Sequence, residues 1–247
     1  TATISSIVGD FIGNSAIGYD SSGGAIYNAG TIGDITGDFV NNVISYSNSS
    51  GYGGAISNSG NIGLITGNFV SNAINYDSTG CYAEGGAIRN TGSINGIVGS
   101  FVNGSVSAYS DWANGGAISN SGTIGDITGT DYVLAVGDGN GGTKNITVNG
   151  FYGNSVTTET NSDIALGGAI YNADGTIGDI TADFIGNFSK SENCYADAGA
   201  IYSINGVIGN ISGDFTDNYV VAGYAAHGGA IFNTSVSNNV SVIGDIS

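Results

Sequence analysis

One phrase recurs along the whole chain, and its recurrence limits the fold more than any local preference does. The tetrapeptide GGAI begins at Gly23, Gly53, Gly85, Gly115, Gly167, Ala198 (as AGAI) and Gly228, at steps of 30, 32, 30, 52, 31 and 30 residues. A second phrase, FxxN, keeps the same beat from Phe11, Phe39, Phe69, Phe101 (as FVNG), Phe151, Phe184 and Phe215. Between them runs TIGDIT at residues 31–36, echoed as far as VIGDIS at 242–247.

Each period holds three short apolar segments, GGAI, IGDIT and FVNNVI, separated by Gly, Asn, Ser and Asp. In GGAIYN, Ile26 and Tyr27 alternate as on the two faces of a strand, and no helical i, i+3, i+4, i+7 pattern is sustained. Three strands per period make one turn of a coil, and stacked coils bring like segments into parallel register about 4.8 Å apart. The expectation is a single all-β domain over residues 1–247, a right-handed parallel β-helix of seven to eight coils. The 45 glycines stand beside a hydrophobic content of 40%, enough to pack a core, so the chain is expected to be ordered.

Stacking explains the residue choices. Ile26, Ile56, Ile88, Ile118, Ile170, Ile201 and Ile231 line up as one internal row, and Phe39, Phe69, Phe101, Phe151, Phe184 and Phe215, with Phe11, as an aromatic one. Asn28, Asn58, Asn90, Asn120, Asn172 and Asn233, interrupted by Ser203, suit an amide ladder in which each side chain bonds its neighbours above and below. Cys81 and Cys194 occupy the same repeat position three coils apart, roughly 14 Å at strand spacing. A disulfide needs Cα atoms within about 7 Å, so no intrachain bridge is expected.

One interval breaks the period. The insert near residues 130–145 contains YVLAV and TKNITV flanking the turn-rich GDGNGG, which reads as a hairpin projecting from the coil. Insertions in solenoids often serve binding faces, so Asp138 and Asn140 at its tip are candidate contacts.

Charge narrows the partners. Arg89, Lys144 and Lys190 stand against twenty acids, a net charge of −17. Nucleic acid requires Lys and Arg to displace phosphate counterions, and an anionic membrane surface requires a basic patch, so neither partner is expected. No run approaches the ~20 apolar residues of a membrane span, so this segment is not expected to insert into a bilayer.

GGAI alternating with FxxN in a Gly-, Asn- and Ser-rich chain resembles the repeats of the chlamydial polymorphic outer-membrane proteins and, more broadly, the passenger regions of autotransporter adhesins. The resemblance covers residues 11–233 and implies a secreted or cell-surface β-helix working in adhesion. The regular TIGDIT phrase and the lack of a C-terminal membrane barrel depart from that pattern, so the chain matches a passenger-like segment of a longer protein. Its partner is then a glycan or protein on a host or neighbouring cell. The candidate binding residues are the aromatics in the variable stretch before each GGAI: Tyr46, Tyr52, Tyr76, Tyr82, Tyr109, Trp112, Tyr195 and Tyr224. Such rings offer a flat apolar face and a polar handle.

Other functions fit less well. Polysaccharide lyases and hydrolases also use β-helices, but lyases need a base with acidic partners and hydrolases a carboxylate pair at defined spacing. Arg89 sits at an outward position otherwise held by Tyr, Ser or Phe, and His227 has no Cys, Ser or second His beside it in sequence, so no catalytic centre is expected. Asp10, Asp38, Asp183 and Asp214 recur before the repeat Phe; their rows permit calcium without requiring it, since neighbouring carboxylates repel by only about 1 kcal/mol in water. No other cofactor is expected. Thr31, Thr123 and Thr176, and Thr36, Thr66, Thr128 and Thr181, form interrupted rows that make an ice-binding face a weaker alternative. Open parallel strands at both ends of a stack invite pairing, so a structural stalk or end-to-end fibre is the main alternative to adhesion.

Overall fold

The computed structural model describes residues 2–46, 50–76, 81–108, 111–139, 141–159, 163–236 and 239–247. All regular structure among them is β. One coil shows the plan: Thr31–Thr36, Phe39–Val40, Val43–Tyr46, Gly51–Tyr52 and Ile56–Asn58 are successive strands. Each pairs in parallel with its counterpart in the next coil, as in Ile32↔Ile62, Phe39↔Phe69, Ile44↔Ile74 and Ile56↔Ile88. The result is a parallel β-helix with five walls, sheets 1 to 5 in that order, of 10, 8, 7, 7 and 7 strands.

Five strands per coil correct the expected three, for two reasons. First, FVNNVI is broken in its middle, because the third residue of every FxxN is left-handed: Gly13, Asn41, Ser71, Asn103, Gly153, Gly186 and Asp217 all have positive φ. A single left-handed residue ends one strand and turns the chain into the next, and Gly, Asn and Asp accept that conformation at least cost. Second, the variable stretch before GGAI is itself a strand. It runs, for example, over Cys81–Glu84, Asp111–Asn114 and Tyr195–Asp197, and forms sheet 4.

The doubled glycine divides the interior in two. The first glycine turns the chain left-handed, with φ of 74° at Gly85. The second touches the opposite wall: a Cβ added at Gly86 would meet the Gly116 carbonyl oxygen of the next coil and lie 2.7 and 2.8 Å from the Ser105 O and N on sheet 3. Only a residue without Cβ permits this approach. On one side of the waist, isoleucines and phenylalanines of sheets 1, 2 and 5 fill a large lobe. On the other, Ile44, Ile74, Val106 and Val156 pack against Ala83, Ala113, Ala165 and Ala196 in a small one. Alanine on sheet 4 is thus a matter of space.

Axial ladders tie the coils together. Phe11, Phe39, Phe69, Phe101, Phe151, Phe184 and Phe215 stack with centroids 4.7–4.9 Å apart and planes within 5°. Asn28, Asn58, Asn90, Asn120 and Asn172 pass Nδ2–H···Oδ1 bonds of 2.8–2.9 Å from coil to coil. The ladder stops there: Asn172 faces Ser203 and donates to the Gly175 and Val207 carbonyls. Asn233 is therefore not a rung, and instead accepts a bond from Ser241 Oγ at 2.6 Å. A second ladder, which no repeat spacing of GGAIYN marks, runs between sheets 2 and 3. The asparagine of FxxN links Asn14, Asn42 and Asn72, then Asn154, Asn187 and Asn218, each at 2.9 Å. Gly104 interrupts it and donates its own N–H to Asn154 Oδ1.

The insert is a hairpin, with Asp131–Gly137 antiparallel to Thr143–Tyr152, and the end of the second strand joins sheet 2 through Phe101↔Phe151. Cys194 is a free cysteine. The side chain of Cys81 lies outside the described residues, but the register Tyr82↔Trp112↔Ile164 keeps the two cysteine positions on separate coils.

Candidate binding trough

Sheets 4 and 5 meet at the waist, so their outer faces form the two walls of a trough along the solenoid axis. Strand alternation decides what lines it. On sheet 4 the inward residue is alanine, so the residues on either side of it point out: Tyr82 and Glu84, Trp112 and Asn114, Ile164 and Leu166, Tyr195 and Asp197. On sheet 5 the residue after the buried isoleucine points out: Tyr27, Ser57, Arg89, Ser119, Tyr171, Tyr202 and Phe232.

The outer row of sheet 4 is aromatic and open. Tyr82 is 48% exposed, Trp112 42% and Tyr195 39%. Tyr82 and Trp112 are in register with centroids 6.3 Å apart, and Tyr195 meets Tyr224 edge-on at 5.0 Å. The facing wall is graded along the axis. At one end the Arg89 guanidinium lies 4.2 Å from the Tyr52 ring centroid, while its Nε donates to Glu84 Oε2 at 2.8 Å. At the other, Tyr171, Tyr202 and Phe232 stack at 5.5 and 5.4 Å and pack around Leu166. His227 Nδ1 lies 2.7 Å from Asp197 Oδ1 there. Burial raises the Tyr171 pKa, with Tyr202, Glu84 and Asp174 adding to it. Burial also raises that of Tyr202, helped by Asp197.

Of the aromatic candidates, Tyr52, Tyr82, Trp112 and Tyr195 stand on strands of sheet 4, and Tyr224 lies in the bend just before its last strand. Tyr46 and Tyr76 end strands of sheet 3, and their side chains, like Tyr109 and Asn140 altogether, lie outside the described residues. Asp138 closes the hairpin turn, its Oδ1 accepting the Gly142 N–H at 2.9 Å. The hairpin leaves the coil between sheets 1 and 2, so it takes no part in the trough.

Glu84, Asn114 and Leu166 are not among the residues the sequence singles out, and it marks Arg89 only as an outward position. The available signal was positional: the residue before GG and the one after AI both point outward around one glycine turn.

The aspartate rows act as backbone clamps. Asp10, Asp38 and Asp183 each accept the N–H of the aligned residue one coil on, at 2.9, 2.7 and 3.0 Å. Asp34, Asp126 and Asp179 do the same on sheet 1. Asp214 supplies the N–H that Asp183 accepts. Among the described residues no three His, Cys, Asp or Glu side chains converge as a metal site. On sheet 1 these exposed carboxylates stand between the two threonine rows, which breaks the face into charged and hydroxyl stripes.

Comparison of the chain with protein family models, with characterised proteins and with solved structures gave no match. The likeness to passenger repeats therefore rests on the GGAI and FxxN phrases alone.

Proposed function

We propose that the chain is a non-catalytic attachment segment, a cell-surface or secreted β-helix that holds a glycan or protein of another surface in the trough between sheets 4 and 5. The observation that carries this reading is the row Tyr82, Trp112, Ile164 and Tyr195, which presents apolar faces at strand spacing over four successive coils of one sheet. Large side chains left half-exposed in a line, on a wall with no freedom to fold them away, are what a recognition surface requires. The ladders keep that line straight, so little ordering entropy is lost on binding.

The alternative reading, a structural stalk or fibre segment, is favoured by the same ladders, which make the coil stack stiff along its axis. Binding to immobilised glycans, matrix proteins and intact cells separates the two, with an unfolded sample as control. Saturable, fold-dependent binding is expected. It should be lost when Tyr82, Trp112 and Tyr195 are changed together to Ser, while the free energy of unfolding stays within about 1 kcal/mol of the parent. Silence of the folded parent across the panel overturns the attachment reading and leaves the stalk.

A further inference from the structure

The centre of the trough holds a mismatch. Trp112 and Asn114 share one strand and one outward face. Trp112 is 42% exposed, whereas Asn114 is 2% exposed and its Oδ1 has no hydrogen-bond partner. In register with Asn114 stand Glu84 on one side, held by Arg89, and Leu166 on the other, packed in the aromatic cluster. Leucine shows that the position accepts an apolar side chain. An amide whose oxygen is buried without a donor is worse for the fold than such a side chain, so its presence calls for a partner that the chain does not contain.

The chemistry of that partner follows from the surroundings. An exposed indole takes the C–H face of a ring, and a buried acceptor two residues along the same strand takes a hydroxyl. A sugar ring carries both. An anionic sugar is disfavoured: the net charge is −17, and of the three basic residues Arg89 and Lys190 are already paired with Glu84 and Glu192. Resting on the attachment reading above, we propose that Trp112 and Asn114 form a subsite for a neutral pyranose in a glycan lying along the trough. The ring stacks on Trp112, one hydroxyl donates to Asn114 Oδ1 after a small side-chain shift on the facing wall, and Tyr82 offers the next platform one coil away.

Trp112 is the only tryptophan, so its emission reports the subsite directly. The folded chain is titrated with neutral gluco-, galacto-, manno- and N-acetylglucosamine-type oligosaccharides, beside the variant Asn114→Leu, which copies Leu166. A saturable change in Trp112 emission with at least one saccharide is expected. Asn114→Leu should raise the melting temperature yet weaken that binding by about tenfold, the loss of one hydrogen bond to the sugar. Unchanged binding by the variant overturns the role of Asn114. A variant less stable than the parent also overturns it, because the amide oxygen is then satisfied within the fold. No response to any saccharide, from a chain that still attaches to proteins or cells, overturns the glycan inference and leaves the attachment reading intact. Silence in both assays removes both.

Discussion

Asn90→Asp tests whether the buried ladder works by directed N–H donation or merely by fit. Asn90 is fully buried; its Nδ2 faces three acceptors, Asn120 Oδ1 at 2.9 Å, Thr123 O at 3.1 Å and Gly92 O at 3.3 Å, and its Oδ1 accepts from Asn58 at 2.8 Å. The substitution keeps the shape and replaces the donor by an oxygen, so a carboxylate would place charge against three acceptors in a desolvated corner. The folded state avoids this by keeping the acid protonated, which lets one O–H still donate to Asn120. Holding it neutral at about pH 7, against an unfolded pKa of about 3.9, costs about 4 kcal/mol at 1.36 kcal/mol per unit. The lost second N–H adds about 1 kcal/mol.

The folded pKa of the new acid is therefore raised above its unfolded value. Its contribution is fully retained below about pH 4 and lost as pH rises, at about 1.4 kcal/mol per unit. Urea unfolding of parent and variant across this range should show a difference of about 5 kcal/mol at neutral pH, shrinking to about 1 kcal/mol at pH 3. The parent's own acid sensitivity, from its 20 acidic residues, cancels in that difference. A difference that does not change with pH, or that is absent at neutral pH, refutes N–H donation by Asn90 as what the ladder depends on.

Two further outcomes follow from the waist and the trough. Gly86→Ala should destabilise the chain by about 2–3 kcal/mol through the clash with sheet 3. Gly137→Ala, where an added Cβ meets nothing within 4 Å, should stay within about 0.5 kcal/mol in the same unfolding assay; equal effects would show that the lobes are not pinched. Tyr171 and Tyr202 keep their phenol protons above the ordinary value of 10.0 in the folded state, so stability should fall as pH rises past about 10. An ultraviolet tyrosinate titration should find Tyr171 among the last of the 14 tyrosines to ionise, and loss of the late step in Tyr171→Phe confirms the assignment. Complete ionisation in one early step without unfolding would contradict its burial.

What the amino-acid sequence determined by itself is the axial dimension of the molecule. Repetition places each residue beside its own counterpart, so the period, the register, the Phe and Ile rows and the first Asn ladder follow from spacing alone; so does the hairpin that interrupts them. Spacing alone also offers Asn233 as a rung beyond Ser203, and it is the structure that ends the ladder at Asn172. The radial dimension was decided only by the tertiary structure. The left-handed residue inside each FxxN, which splits an expected strand, is written as Gly, Asn, Ser or Asp and carries no constant letter. The glycines of GGAI announce a turn, but only the opposite wall at Ser105 shows that the turn is a waist and that the small lobe beyond it admits alanine. The trough depends on that waist. Glu84 and Arg89, or Trp112 and Asn114, acquire meaning when two sheets face each other across a glycine turn, and contacts around the axis, unlike those along it, are set by backbone angles and packing that no repeat spells out.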